Sequence, residues 1–200
     1  MTWGPSTPTM APAEATAGHA HDDHAYEPVF AAGSPGRAEL DVLLGRYPTK
    51  MAALLPALWI VQRARGYVSN AGMTEVAEVL DLTPAYVKGV VTFYTMYHQH
   101  PVGRHFIQVC TTTPCHVAGA EQVVDSFLAH TGCKELGRTS PDGRYTVIEV
   151  ECLGACGFAT PVQINDRYFE NVTPETVPAV LARLEAVDAP GEAPQDTVRV

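Results

Sequence analysis

Four cysteines carry the chemistry this sequence can do. Cys110-Thr-Thr-Thr-Pro-Cys115 sets two thiols with four residues between them, and after a gap of 36 residues Cys152-Leu-Gly-Ala-Cys156 sets two more with three between. Thiolates are soft ligands that suit iron and zinc, and four of them are the common complement of a two-iron, two-sulfide cluster. The spacing reads as a [2Fe-2S] site on Cys110, Cys115, Cys152 and Cys156. Structural zinc is the rival for four cysteines, although zinc knuckles usually have tighter spacings; iron analysis separates the two. A dithiol oxidoreductase normally needs a C-x-x-C, which is absent. A Rieske-type centre needs two histidine ligands, and His116 has no counterpart near Cys152, so it reads as a neighbour of the site. Cys133, the fifth cysteine, follows Thr131-Gly132 and reads as a small, partly buried thiol outside the site.

The residues between the thiols matter as much as the thiols. Gly154, Ala155 and Gly157 allow close approach of the backbone, whose N–H groups can donate to sulfur, and the Thr111, Thr112 and Thr113 amides and hydroxyls offer the same. Neither Cys loop contains Lys or Arg, while Glu149 and Glu151 flank the second. Such a setting opposes added negative charge and favours a low potential, unless the two glutamates simply face solvent.

Elements of secondary structure must bring the loops together. His105 to Cys110 alternates, with Ile107 and Val109 on one face, so Cys110 ends a strand. Val117, Ala120, Val123, Val124, Phe127 and Leu128 form an amphipathic helix stripe. A turn at Pro141-Asp142-Gly143 precedes a strand from Tyr145 to Val150 that runs into Cys152. Val162 to Ile164 and Arg167 to Phe169 read as a hairpin about Asn165-Asp166, and Thr173-Pro174 as the cap of a last helix bearing Val177, Val180, Leu181 and Leu184.

Upstream, residues 37–100 read as a helical bundle. Met51, Leu54, Leu55, Leu58 and Val61 make one helix face, with a kink or restart at Pro56 and a stop at Gly66. Val76, Val79 and Leu80 mark a second helix, and Thr83-Pro84 caps a third through Tyr86, Val87 and Val90. Phe93, Tyr94 and Tyr97 read as core, with partner docking as the other reading. Residues 1–36 are rich in Pro, Ala, Thr, Gly and His and read as a disordered arm, and 188–200 as a flexible tail. His19, His21, Asp22, Asp23 and His24 in the arm are read as solvated residues, with weak chelation the alternative.

The 200 residues are 46% hydrophobic, enough for a buried core, and the net charge of −9 argues against nucleic acid or an anionic membrane as partner. Paired cysteines in an odd total suit metal ligation in a reducing compartment. There is no run of ~18 apolar residues that would span a membrane. No basic region precedes an apolar core at the N-terminus, and acidic residues precede the first Arg, Arg37. The expectation is a cytoplasmic protein without a leader.

Gly89-Val-Val-Thr-Phe-Tyr-Thr-Met-Tyr97, Val109-Cys-Thr-Thr-Thr-Pro-Cys115, Glu149-Val-Glu-Cys-Leu-Gly-Ala-Cys-Gly157 and Gln163-Ile-Asn-Asp166 together carry a family resemblance. The sequence resembles the 24 kDa subunits of NADH:quinone oxidoreductase, respiratory complex I, over about residues 37 to 187. The resemblance implies an α+β protein in which an N-terminal helical bundle precedes a thioredoxin-like [2Fe-2S] domain at 101–187. It also implies that Cys110, Cys115, Cys152 and Cys156 hold the cluster. The implied partners are the flavin- and NADH-binding subunit and other subunits of the peripheral arm, on the inner face of the cell membrane. FMN and NADH then belong to that partner, in keeping with the absence of a GxGxxG loop here. The implied role is electron transfer beside the FMN, not catalysis by this chain alone. The small iron-sulfur subunit of a soluble NAD-dependent formate dehydrogenase or hydrogenase shares the same motifs and is the alternative. Phe158 departs from the smaller residue expected at its position and bears on cluster exposure or the partner surface.

Overall fold

A computed structural model describes residues 26–188 and 197–199. The arm residues His19, His21, Asp22, Asp23 and His24 lie outside the described residues. The protein is α+β and divides into two compact units between Gln99 and His100.

In the first unit the local signals at helix ends act as the sequence dictates. Helix α1 (Pro35–Leu44) starts at a Ser34 cap, whose hydroxyl accepts the Arg37 N–H at 3.1 Å, with Pro35 in the first turn. The apolar stripe beginning at Met51 opens as a 3₁₀ turn (Lys50–Ala53) and continues as α2 (Leu54–Arg65), so Pro56 marks a restart rather than a kink. It falls in the first turn of α2, where its missing N–H needs no partner. Gly66 ends α2 in the left-handed region, at φ 80°. Helices α3 (Asn70–Leu80) and α4 (Pro84–Phe93) start at caps on Ser69 and Thr83. Leu40, Leu58, Val61, Val76, Val87 and Val91 share one dry core. Within it, Gln62 is buried but satisfied: its Nε2 donates to the Met96 carbonyl at 2.9 Å and its Oε1 accepts the His98 N–H at 2.8 Å. The aromatic run divides, since Tyr97 is buried with its hydroxyl on the Leu55 carbonyl at 2.9 Å, Tyr94 is half-buried, and Phe93 is 76% exposed.

The expected disordered arm does not extend to residue 36. Val29 and Phe30 are buried in the helical core, and the Glu75 carboxylate holds their segment down. It accepts the Val29 N–H at 3.1 Å, the Phe30 N–H at 2.6 Å and the Tyr26 hydroxyl at 2.5 Å. Burial, then the hydrogen bond and charge of Glu75, push the Tyr26 hydroxyl well above its ordinary value. A two-residue apolar pair in a turn has no periodicity, so the sequence pattern does not reveal it. Glu75→Ala is expected to destabilise this unit by about 2–3 kcal/mol, because two backbone N–H groups lose a charged acceptor. Urea unfolding measures that loss, and limited proteolysis should show new cleavage within residues 26–34.

The second unit is a mixed sheet in the order β2 (Tyr145–Val150), β1 (His105–Cys110), β3 (Val162–Ile164), β4 (Arg167–Glu170), β5 (Thr197–Arg199). Strand β1 (His105–Cys110) pairs in parallel with β2 (Tyr145–Val150), Cys110 opposite Val150. A parallel neighbour demands a crossover, supplied by α5 (Thr113–Val117) and α6 (Ala120–Thr131). The single helix expected from Val117 is thus two, because Gly119 at φ 94° breaks the run. Strands β3 (Val162–Ile164) and β4 (Arg167–Glu170) form the expected hairpin, with β3 antiparallel to the other edge of β1. Helix α7 (Val177–Asp188) begins later than its expected cap, after a turn in which the Thr176 Oγ1 accepts the Thr173 N–H at 2.9 Å. The last residues are not all tail: β5 (Thr197–Arg199) lies parallel to β4, Thr197 opposite Tyr168, as β-branched residues at a sheet edge permit. Ile107 and Val109 of β1, Val123 and Phe127 of α6, and Val177 and Val180 of α7 fill the core. Cys133 belongs to this core, its thiol 3.5 Å from the Tyr145 carbonyl. The carboxyl ends of β1 and β2 emerge side by side, and each leads into one of the two cysteine loops.

Candidate metal centre

The two loops meet. Cys110 is the last residue of β1 and Cys115 lies in α5, five residues on; both are buried, and their sulfurs are 3.2 Å apart. Cys152 stands just past β2, and Cys156 opens the 3₁₀ turn Cys156–Phe158; both are exposed. The first pair sits in a small apolar cluster with Ala120, against which pack Leu153, from within the second loop, and Ala159, three residues past Cys156.

Cys115 lies within electrostatic reach of the other three thiols. Burial, then the hydrogen bond and charge of Cys110 and the charges of Cys156 and Cys152, push the Cys115 thiol up to about 12. Cys110 goes the other way. Burial works against its thiolate, but the Leu153 and Thr112 backbone N–H groups, with the Cys115 thiol and the Thr112 hydroxyl, together hold it below its ordinary value. The Thr112 Oγ1 is 3.8 Å from the Cys110 sulfur, and the Gly154 N–H donates to the Cys152 sulfur at 3.3 Å. Gly154 adopts φ 78°, which a residue with a Cβ rarely does, so the glycine there is a conformational requirement.

Among the described residues no three His, Cys, Asp or Glu side chains gather round one ion-sized point. A two-iron cluster would make no such demand, because its four thiolates would be shared between two irons. An all-thiol donor set on two loops, with N–H groups directed at two of the sulfurs, fits that group. Thr160 adds a buried hydroxyl with no partner among the described residues, one residue before Pro161, whose carbonyl accepts the Cys110 N–H at 3.3 Å.

The other residues singled out in the sequence fall around this centre. His116 is exposed, with its Nδ1 3.6 Å from Glu121 Oε1. Glu149 and Glu151 are exposed, as their solvent-facing reading requires. Phe158 is 40% exposed at the end of the second cysteine loop, and Val117 is 82% exposed two residues past Cys115. Sequence reasoning missed Tyr168. Its hydroxyl donates to the Leu153 carbonyl at 2.5 Å, and burial, then the charges of Cys110, Glu170, Cys152 and Cys115, push it above its ordinary value. A tyrosine on a half-buried strand carries no sequence signal for such a role.

Comparison with known proteins agrees with the geometry. The family model of thioredoxin-like [2Fe-2S] ferredoxins matches residues 40–185. The second E-type subunit of the NADH-quinone oxidoreductase of Rhizobium meliloti (strain 1021) is 34% identical over 152 residues, which cover 76% of this chain and 90% of that protein. The mitochondrial NADH dehydrogenase (ubiquinone) flavoprotein 2 of Dictyostelium discoideum is 38% identical over 138 residues, 68% of this chain but only 56% of that longer protein. Among solved structures, a NAD+-reducing [NiFe]-hydrogenase superposes with a TM-score of 0.58 at 22% identity, covering 70% of this chain and 24% of that one, a likeness of fold. With the family model spanning both units, and a bacterial relative matched over nearly its whole length, the protein belongs to the thioredoxin-like [2Fe-2S] ferredoxin family.

Proposed function

We propose that Cys110, Cys115, Cys152 and Cys156 hold one [2Fe-2S] cluster, and that the protein is the electron-transfer subunit of an NADH:quinone oxidoreductase. The observation that carries this is the meeting of two cysteine pairs at the ends of adjacent parallel strands, in a sequence similar along most of its length to the E-type subunit of the bacterial oxidoreductase. When bound, such a cluster takes up and releases one electron at a time. The residues of the protein supply the rest. Thr112, Leu153 and Gly154 direct N–H groups at sulfur, where they stabilise negative charge, and Leu153, Ala159 and Ala120 keep water from the buried pair.

NADH and FMN are bound by a partner subunit, and this protein works beside it in the peripheral arm, on the inner face of the cell membrane. No helix among the described residues is long and apolar enough to cross a membrane. The formal charge of −9 fits a protein partner better than a lipid surface.

Gentle purification of the protein from its native cells after mild membrane solubilisation tests the reading. The expected result is co-purification with membrane subunits, inhibitor-sensitive NADH:quinone activity and about two irons for each copy of the protein. A soluble complex that oxidises formate or hydrogen with NAD would reassign the assembly while leaving the cluster and fold in place. Zinc in place of iron would overturn the cluster itself.

A further inference from the structure

The Leu153–Gly154 peptide group is held at both ends. Its carbonyl accepts the Tyr168 hydroxyl at 2.5 Å, and its N–H, on Gly154, donates to the Cys152 sulfur at 3.3 Å. Tyr168 comes from β4, an element apart from either cysteine loop, and its strand is fixed by β3, with Tyr168 opposite Gln163. On the preceding peptide, the Leu153 N–H reaches across to Cys110. One short stretch of backbone therefore contacts a sulfur from each cysteine pair, and Tyr168 anchors that stretch to the sheet.

We propose that Tyr168 is a positioning residue of the centre: its hydroxyl orients and polarises the Leu153–Gly154 peptide so that the Gly154 N–H is held on the Cys152 sulfur. The inference rests on the cluster assignment above. Hydrogen bonds in series strengthen one another, so a donor on the carbonyl makes the N–H of the same peptide a better donor. N–H donors on ligand sulfur stabilise the extra negative charge of a reduced centre and raise its potential. Removing the hydroxyl should weaken the Gly154 bond and lower the potential, with all four thiols still present.

The test uses the full protein with its iron-sulfur centre, as wild type, Tyr168→Phe and Ser126→Ala. Ser126 is the control because its hydroxyl also donates to a carbonyl in the same unit, that of Pro174 at 3.0 Å, without touching a cysteine loop. Tyr168→Phe is expected to disfavour reduction about threefold, a midpoint about 28 mV more negative at 59 mV per decade for one electron, with altered electron paramagnetic resonance g-values. Ser126→Ala should match wild type in both. If Tyr168→Phe retains iron poorly, faster loss of iron to a chelator than from Ser126→Ala supports the same role. An unchanged midpoint in a fully loaded Tyr168→Phe protein, or an equal shift in Ser126→Ala, overturns the inference and leaves the cluster assignment standing. A wild-type protein that binds no cluster overturns the assignment, and the inference with it.

Discussion

Cys110→Ser and Cys156→Ser should each abolish the native two-iron spectrum, and Cys133→Ser should leave it intact. The three thiols differ in what surrounds them. Cys110 is buried, takes several hydrogen bonds and stands 3.2 Å from Cys115. A serine hydroxyl there is a harder, far less acidic ligand, and its shorter reach leaves one iron without its thiolate. Cys156 is exposed, so serine costs little in folding, and loss of the spectrum from that variant reports ligation alone. Cys133 is also buried, but it packs among apolar side chains beneath the Tyr145 carbonyl, so its replacement weakens packing and leaves the centre untouched. Visible absorption, iron content and thermal unfolding of the three variants check this. Loss of the spectrum in Cys133→Ser alone would move the ligand assignment.

Phe127→Ala is expected to cost the second unit about 3–5 kcal/mol, the range for emptying a large aromatic site in a packed core. Phe127 is wholly buried on α6 and shares its core with Ile107 and Val109 of β1 and with Val177 and Val180 of α7. Domains of this kind have a net stability of about 5–15 kcal/mol, so the loss is a large fraction of the total. Phe127→Leu, which keeps most of the volume, should cost under about 1.5 kcal/mol. Because β1 carries Cys110 at its end, urea melts followed by far-ultraviolet dichroism and by visible absorption should shift together in Phe127→Ala. A shift of less than about 1 kcal/mol would mean that the core refills the site.

The legible parts of this sequence are those governed by short-range rules. Alternation marks β1 down to Cys110, turn residues mark the hairpin about Asn165-Asp166, and Thr83-Pro84 marks the start of α4. The same cap-and-proline rule applies to Ser34-Pro35, where the compositional bias of the preceding arm hides it. Tertiary contacts account for the rest. Val29 and Phe30 are ordered by a carboxylate 46 and 45 residues away, and Tyr168 reaches a carbonyl 15 residues before it across a loop. Nothing local distinguishes those residues from ordinary surface or strand positions. The thiol spacing likewise makes four cysteines candidates, but the burial of one pair and the exposure of the other depend on which strand end is capped by helix α5.

That unequal burial gives the centre a direction. Electron exchange weakens steeply with distance, so whatever trades electrons with this protein gains most by approaching along the Cys152–Cys156 edge, while the fold itself insulates the Cys110–Cys115 edge. The same opening admits small oxidants and chelators from one side. With the proposed cluster bound, damage in air should therefore begin on the side of the outer pair.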